Sequence, residues 1–222
     1  VSDIAFDNDG EIKNFDFYEA KIESKYRLTY AEVEEAILRK KKIGSTSVNE
    51  SINALKELTI TLLGKRAKRN ALEIESSEPI LKINNIGAVE AINLSTRMFA
   101  HQMIEEAMIA ANICAITFVK NSIGISINRF HDKPDTDKLL ALFEKFQSLG
   151  LKKSDDPIIL LQRCIEIAKR NENAASLQSL ILQGLPRAIY SSKKSGHFGL
   201  QLEEYSHFTS PIRRYPDLII HR

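Results

Sequence analysis

Apolar residues stand three or four positions apart through most of the chain, which is the spacing of one face of an α-helix. The predicted helices begin after Thr29, after a polar linker at 44–49, near Arg97, after Asp135, after Asp156 and near Leu177. The helix that begins near Arg97 is apolar on most sides as far as Lys120, so we expect it to be central and buried. The pattern therefore predicts several helices that include one apolar core helix.

Alternating apolar and polar residues, typical of a half-buried strand, occur in shorter stretches. Residues 1–28 are predicted as strands with a turn at Asn8-Asp9-Gly10, and residues 79–94 as a hairpin around 84–87. In the stretch 123–128, isoleucine alternates with Gly, Ser and Asn, and this predicts another strand. Helices and strands are thus both expected.

Capping residues mark several helix starts. Thr29 and Glu32 are spaced as a capping box, in which each side chain binds the other residue's backbone N–H. Asp135 is a candidate N-cap, and Asp156 is followed by Pro157 at the first helical position. These signals fix the expected starts of three helices.

Composition and charge exclude some classes of protein. The 222 residues are 43% hydrophobic and 27% charged, with 31 Lys+Arg against 29 Asp+Glu. Such a chain is expected to fold as one large domain or slightly more, and disorder is not expected. A net charge of +2 excludes a simple polyanion-coating protein but is compatible with a local site that grips one strand.

Targeting signals and cysteines point to the cytoplasm. No run approaches 18 uncharged apolar residues, and the first residues lack the basic and apolar regions of a signal peptide. Cys114 and Cys164 lie in apolar helical patterns and are expected to be buried free thiols in a reducing compartment. The absence of an initial Met and the apolar run 217–222 predict a fragment truncated at both ends.

The stretch 205–217, YSHFTSPIRRYPD, carries the strongest chemical pattern. Ser210 is a candidate N-cap with Pro211 after it, which places Arg213 and Arg214 in or near a first helical turn. Two guanidinium groups are unfavourable at the positive end of a helix, unless an anion such as phosphate binds there. The stacking surfaces nearby are His207, Phe208 and Tyr215. The alternative is an ordinary helix start in which one arginine pairs with Glu203, Glu204 or Asp217.

Two further charged features stand out. Glu105 and Glu106 are adjacent within the apolar helix, and Glu105 shares a helix face with Asn112 two turns on. One carboxylate could pair with a buried arginine while the other faces a cleft, but we expect both to reach solvent. Residues 39–69 hold nine Lys/Arg against two Glu, and the cluster 65–69 is a candidate for phosphate contacts.

The stretch from His207 to Arg222, HFTSPIRRYPDLIIHR, closely resembles the signature of the exoribonuclease II/R family, whose catalytic module is called RNB. Other blocks agree in order: Arg27-Leu28-Thr29-Tyr30, Arg69 to Ile74, Met103 to Ala115, and His197 to Leu200. The resemblance spans nearly the whole chain and leans toward the exoribonuclease R branch. It implies a mixed α/β fold, a central β-sheet surrounded by α-helices, in the later part of an RNB catalytic domain spanning 1–222.

The resemblance implies hydrolytic, processive 3′→5′ degradation of single-stranded RNA to nucleoside 5′-monophosphates. Arg213 would be the catalytic residue at the scissile phosphate, and Tyr30 and Glu105 would recognise the ribose. His207, Ser210, Arg214 and Tyr215 are expected RNA-channel or supporting residues, and Ile74 stands where the family often has a base-clamping aromatic. Asn128 replaces the tyrosine of another family motif.

The implied cofactor is Mg²⁺, but the family's acidic cluster, D-x-x-x-x-x-D-x-D-D, is absent from the sequence. We therefore expect no metal ligands in this chain and an inactive fragment. The full-length protein is expected to be a cytoplasmic monomer with no membrane association and no DNA substrate. The alternative is a non-catalytic RNA-binding or scaffold relative of the same fold.

Overall fold

The structure, a computed structural model, describes residues 1–74, 79–94 and 97–222. The chain forms two compact units. The first unit comprises Val1–Ala71, Met98–His131 and Ala188–Arg222, and the second comprises Leu72–Arg97 and Asp132–Arg187.

Helices supply most of the regular structure in the described residues. In chain order the helices are α1 (Tyr30–Arg39), α2 (Thr46–Lys68), α3 (Phe99–Ile123), α4 (Thr136–Gln147), α5 (Pro157–Lys169), α6 (Ala174–Gly184) and α7 (Tyr215–His221). The strands are β1 (Ser2–Phe6), β2 (Ile12–Phe17), β3 (Pro79–Ile83), β4 (Val89–Leu94), β5 (Asn128–Phe130) and β6 (Ile189–Ser191).

Within the described ranges, the strands pair as three separate antiparallel sheets, β1–β2, β3–β4 and β5–β6, with two strands each. The mixed α/β class is confirmed, but in place of the expected central β-sheet the described strands form these three small sheets. The hairpin at 79–94 is confirmed, and the Asn84 side chain closes its turn by accepting the N–H groups of Ile86 and Ala88. In the first 28 residues only β1 and β2 are strands, so the expected strands beyond Phe17 are wrong.

The apolar helix α3 is the centre of the first unit, as predicted. It packs against α1 and α2. Ala100, Met103, Cys114 and Ile116 on α3 are each at most 2% exposed. The helix ends at Gly124, whose left-handed φ of 73° and N–H bond to the Lys120 carbonyl complete the last turn. The strand predicted at 123–128 is therefore wrong over most of its length, because α3 continues to Ile123 and β5 begins only at Asn128.

The predicted caps are present. Thr29 Oγ1 accepts the Glu32 N–H while the Glu32 carboxylate accepts the Thr29 N–H, so the capping box is confirmed. Asp135 and Asp156 cap α4 and α5 through their carboxylates. Each cap satisfies an N–H group that the first helical turn leaves without a partner.

The second unit has a core where α4, α5 and α6 meet. Phe146, Leu161, Cys164 and Ile181 are fully buried there. Burial raises the pKa of the Cys164 thiol to about 12 and that of Cys114 in the first unit to about 11. The prediction of buried free thiols is confirmed.

Helix α3 is long and apolar enough, by length and composition alone, to cross a membrane, with a mean hydropathy of 1.3 over its 18-residue window. No other described helix meets that test. The core helix of a globular unit has the same composition, and α3 buries Glu106 and Asn112 among its neighbours. In this structure α3 packs as a core helix of the first unit, against α1 and α2.

Candidate functional site

The segment 206–217 folds as a turn that precedes α7. The N–H groups of Arg213 and Arg214 both donate to the Ser210 carbonyl, at 3.3 and 3.1 Å. Helix α7 begins only at Tyr215, with Arg214 at its N-cap position. The predicted N-cap at Ser210 is wrong, because the Ser210 carbonyl closes a turn and Ser210 Oγ caps no helix.

Asp217 holds this turn in place. Its fully buried carboxylate accepts the Ser210 N–H at 2.8 Å and Arg214 Nη2 at 2.7 Å, both at Oδ1. Asp217 is therefore the acidic partner of Arg214, one of the pairings that the sequence left open. Such a charge-assisted pair is stronger than a neutral hydrogen bond and fixes the backbone around Ser210.

The two adjacent arginines consequently differ. The Arg214 side chain is largely buried against Asp217. Arg213 is exposed, and Ser210 Oγ, 3.5 Å from its Nη2, is its contact in the described part of the chain. The turn thus presents one guanidinium to solvent and uses the other as a structural support.

His207 lies beside this turn as an uncharged ring. Its Nδ1 is 2.8 Å from the Tyr190 hydroxyl, and its ring lies edge-on to those of Tyr190 and Tyr205. Burial first, and then the charge of Arg214, lower the pKa of His207 to about 4. Tyr215 is 73% exposed at the start of α7.

Asn112 joins the segment 205–208 to α3. Its Nδ2 donates to the Tyr205 hydroxyl at 2.9 Å, and its Oδ1 accepts the Phe208 N–H at 2.8 Å. Asn112 is fully buried, so it does not face a channel beside Glu105. Its side-chain amide instead fixes the position of residues 205–208, the segment that precedes the turn with Arg213.

Arg66 binds both carboxylates of the acidic pair on α3. Arg66 Nη1 is 2.7 Å from Glu105 Oε1 and 2.7 Å from Glu106 Oε1. The Glu106 side chain is 3% exposed and that of Glu105 is 30% exposed. The expectation that both reach solvent is wrong, because a buried arginine neutralises them.

The guanidinium of Arg66 stays charged in this position. Burial lowers its pKa, but the hydrogen bonds to Glu105 and Glu106 outweigh burial, so the pKa is raised overall. A buried cation of this kind requires close anions. The sequence alone did not identify Arg66 as the buried arginine that pairs with these carboxylates, because Arg66 is one of four cations at the end of α2.

Two other cations of the cluster 65–69, Lys65 and Arg69, also bind protein acceptors. Lys65 Nζ lies 2.8 Å from the Glu11 carboxylate, and Arg69 Nε donates to the Leu200 carbonyl at 2.9 Å. Lys65, Arg66 and Arg69 therefore have internal acceptors, and phosphate contacts by the cluster stay a prediction.

Tyr30 opens α1 and lies against α3. Its ring centroid is 4.1 Å from that of His101, which stands one helical turn before Glu105. Tyr30 is 45% exposed and borders a cavity of about 560 Å³. Tyr30 and Glu105 therefore belong to one face of the first unit, whereas Ile74 lies in the second unit and is partly exposed.

The described residues contain no cluster of candidate metal ligands. Among residues 1–74, 79–94 and 97–222, no group of three or more His, Cys, Asp or Glu side chains is placed to hold a metal ion. The donor set therefore does not fit Mg²⁺, and we derive no chemical step through a metal.

Comparison with known proteins gives the family. The RNB domain model matches residues 1–222. Ribonuclease R of Escherichia coli (strain K12) is 34% identical over 228 residues, which cover 100% of this chain and 28% of that protein. RNase R of Mycoplasma genitalium, solved in complex with ribose methylated single-stranded RNA, superposes with a TM-score of 0.88 at 30% identity and covers 99% of this chain and 35% of that one.

A more distant likeness concerns the fold alone. Yeast Ssd1, solved as a pseudonuclease, has a TM-score of 0.69 at 19% identity, covering 99% of this chain and 27% of that one. The chain spans about a third of the length of the relatives that it matches. The match over the whole chain, together with these relatives, shows that the chain belongs to the RNB domain family.

Proposed function

We propose that the protein containing this chain is a 3′→5′ exoribonuclease that hydrolyses single-stranded RNA processively to nucleoside 5′-monophosphates. The support is family membership, with ribonuclease R among the relatives. Single-stranded RNA is the proposed partner, since an RNase R of similar structure was solved with it.

The observation that carries the proposal is the exposed guanidinium of Arg213. Asp217, Arg214 and the Ser210 carbonyl fix the turn, while Arg213 keeps its donors for a ligand. A guanidinium fork matches the geometry of a phosphate. Arg213 is proposed to bind the scissile phosphate and to stabilise the negative charge that develops during hydrolysis.

Tyr30 and Glu105 are proposed to recognise the terminal ribose. The exposed part of Glu105 offers a carboxylate acceptor for a 2′-hydroxyl, a group that distinguishes RNA from DNA. Arg66 holds that carboxylate in place, with its Nη1 2.7 Å from Glu105 Oε1. The ring of Tyr30 is fixed against His101 and presents a stacking surface.

The remaining candidates have smaller proposed roles. Tyr215 is exposed enough to contact RNA, and His207 offers an uncharged ring beside Arg213. Ser210 and Arg214 are proposed to support the turn, as their bonds to Asp217 suggest. Ile74 is proposed to pack against a base, although an aliphatic side chain stacks poorly.

The proposed cofactor is Mg²⁺, held mainly by residues outside this chain. We propose that the full-length protein is a cytoplasmic monomer that acts on neither membranes nor DNA. The 222-residue chain alone should release no mononucleotides from RNA in the presence of Mg²⁺. Release of mononucleotides by the isolated chain would contradict that proposal.

The alternative is a non-catalytic RNA-binding or scaffold relative. The fold is compatible with it, since the pseudonuclease Ssd1 has the same fold. An intact acidic cluster in the full-length sequence, followed by mononucleotide release, would reject this alternative.

The test of the proposal is Arg213→Ala in the full-length protein, assayed with Mg²⁺ on end-labelled single-stranded RNA. Loss of one transition-state donor is expected to lower kcat by roughly 100- to 1,000-fold. Arg170→Ala is the matched control, because Arg170 is an exposed arginine at the end of α5. If Arg213→Ala turns over RNA as the wild type does, the role of Arg213 is wrong.

A further inference from the structure

Arg129 and Tyr190 face each other across the small sheet of β5 and β6. They are direct partners in the antiparallel register, so their side chains share one face of the sheet. The Arg129 guanidinium carbon lies 4.7 Å from the centroid of the Tyr190 ring. This is the distance of a cation–π contact, which holds the guanidinium on the ring.

His207 extends this face toward the turn that carries Arg213. The Tyr190 hydroxyl is 2.8 Å from His207 Nδ1, which fixes the ring of Tyr190 at its far end. Tyr190 is 38% exposed, and Arg129 is partly exposed. Arg129, Tyr190 and His207 together form what we name the stacking face.

The Arg129 guanidinium has no acidic partner among the described residues. Its contact within the first unit is with the Tyr190 ring, and its backbone N–H donates to the Tyr205 carbonyl. Three cations near His207, namely Arg214, Arg129 and Arg213, lower its pKa, and the carboxylate of Asp217, which already binds Arg214, opposes them. A partly exposed cation without an acidic partner, near other cations, is suited to an anionic ligand.

We propose that the stacking face binds a nucleotide of single-stranded RNA, with a base stacked on the Arg129 guanidinium and Tyr190 supporting the opposite side of that plane. Guanidinium planes and aromatic rings are the surfaces on which unpaired bases stack. The N–H donors of a guanidinium lie in its own plane, so a base stacked on that plane would leave the donors of Arg129 available to a phosphate. The inference rests on the proposed function, because it assigns a second RNA contact to the same unit.

Charge alone does not explain this arrangement, and a lysine tests the difference. Lysine keeps the positive charge but has no plane on which a base can stack. If stacking carries the contact, Arg129→Lys weakens RNA binding and leaves its salt dependence unchanged. If only phosphate attraction operates, Arg129→Lys binds as the wild type does and only Arg129→Gln reduces the salt slope, by roughly one unit.

The experiment uses the full-length protein with EDTA, so that binding is measured without cleavage. Fluorescence anisotropy of a labelled single-stranded oligoadenylate gives Kd over a range of KCl concentrations. Arg129→Lys and Tyr190→Ala are each expected to raise Kd roughly tenfold. Tyr190→Phe keeps the ring beneath Arg129 and is expected to raise Kd much less. Arg170→Lys is the control for an exposed arginine elsewhere.

The outcomes separate this inference from the proposed function. Wild-type affinity for Arg129→Lys and Tyr190→Ala, both folded by circular dichroism, overturns the stacking face and leaves the nuclease proposal standing. A wild-type protein that binds no single-stranded RNA overturns both. A protein that binds RNA through Arg129 but releases no mononucleotides with Mg²⁺ supports the stacking face and rejects the nuclease proposal.

Discussion

Arg66 shows how a single buried residue can hold two side chains of α3 in place. It is 8% exposed, and its guanidinium binds Glu105 and Glu106 at equal distances. A buried ion pair contributes little net stability when intact, but removal of one partner leaves an uncompensated charge. Loss of Arg66 is therefore expected to destabilise the protein, because Arg66 is the cation that pairs with both carboxylates.

We expect Arg66→Met to destabilise the protein by about 3–5 kcal/mol, because Glu106 would remain buried without its cation. Urea denaturation followed by fluorescence or circular dichroism gives the free energy of unfolding. Addition of Glu106→Gln should recover part of the loss, since a neutral amide is easier to bury than a carboxylate. A stability equal to that of the wild type would show that Glu106 reaches water in solution.

The sequence predicts single residues best where the chemistry is unusual. Arg213, in a long motif, was identified as a phosphate candidate, and its exposed guanidinium is consistent with that prediction. The sequence does not predict that Arg214 is buried while Arg213 is exposed, because this depends on which of three nearby acids pairs with an arginine of the turn. Asp217 does so, at three positions from Arg214.

At the scale of elements, caps were predicted well and strand ends poorly. Thr29, Asp135 and Asp156 cap their helices through local contacts that the sequence specifies. The strand at 123–128 was predicted from a short alternation, but the backbone hydrogen bonds of α3 carry that helix on to Gly124. A short alternation of apolar and polar residues does not predict a strand reliably where a long helix extends into the same residues.

The capping box of α1 yields a second stability prediction. We expect Thr29→Ala to lower the free energy of unfolding by about 1 kcal/mol, because the Glu32 N–H loses its acceptor. Thr29→Ser keeps the hydroxyl and should retain most of that stability. Thermal or urea denaturation of the two variants in parallel measures the difference.

Since Tyr30 is the first residue of α1, a frayed start of the helix also affects the proposed ribose site. In the full-length protein, Thr29→Ala should raise KM for RNA more than it lowers kcat, with Thr29→Ser close to the wild type. Equal KM values for the wild type, Thr29→Ala and Thr29→Ser would show that the cap does not affect RNA binding through Tyr30.

At the scale of the whole molecule, the long-range contacts are what the sequence could not supply. Arg66 meets Glu105 across 39 positions, and Asn112 meets Phe208 across 96. Periodicity identifies which faces are apolar, but it does not say which polar group meets which across such distances. The sequence pattern also did not predict that the strands would pair only two at a time.

Two partly buried histidines, His197 and His207, make the stability of the first unit depend on pH. Burial first, and then the charge of His131, lower the pKa of His197 to about 3, and that of His207 is lowered to about 4 by burial and Arg214. Both groups titrate near 6.5 in the unfolded chain. Above that pH they are neutral in both states, so they cause no pH dependence there.

As the pH falls below 6.5, the unfolded chain takes up protons that folded His197 and His207 refuse. Stability is therefore expected to be full above pH 6.5 and to decline steadily toward pH 4. Urea denaturation at a series of pH values measures this slope.

His197→Asn isolates the contribution of one ring. His197 Nδ1 accepts the Leu200 N–H, and an asparagine oxygen can take that bond without titrating. The variant should lose less stability than the wild type between neutral pH and about pH 5, because one fewer group protonates on unfolding. An unchanged slope would mean that His197 is protonated in the folded protein. The His197 ring would then be exposed to water in solution, and its pKa would not be lowered by burial.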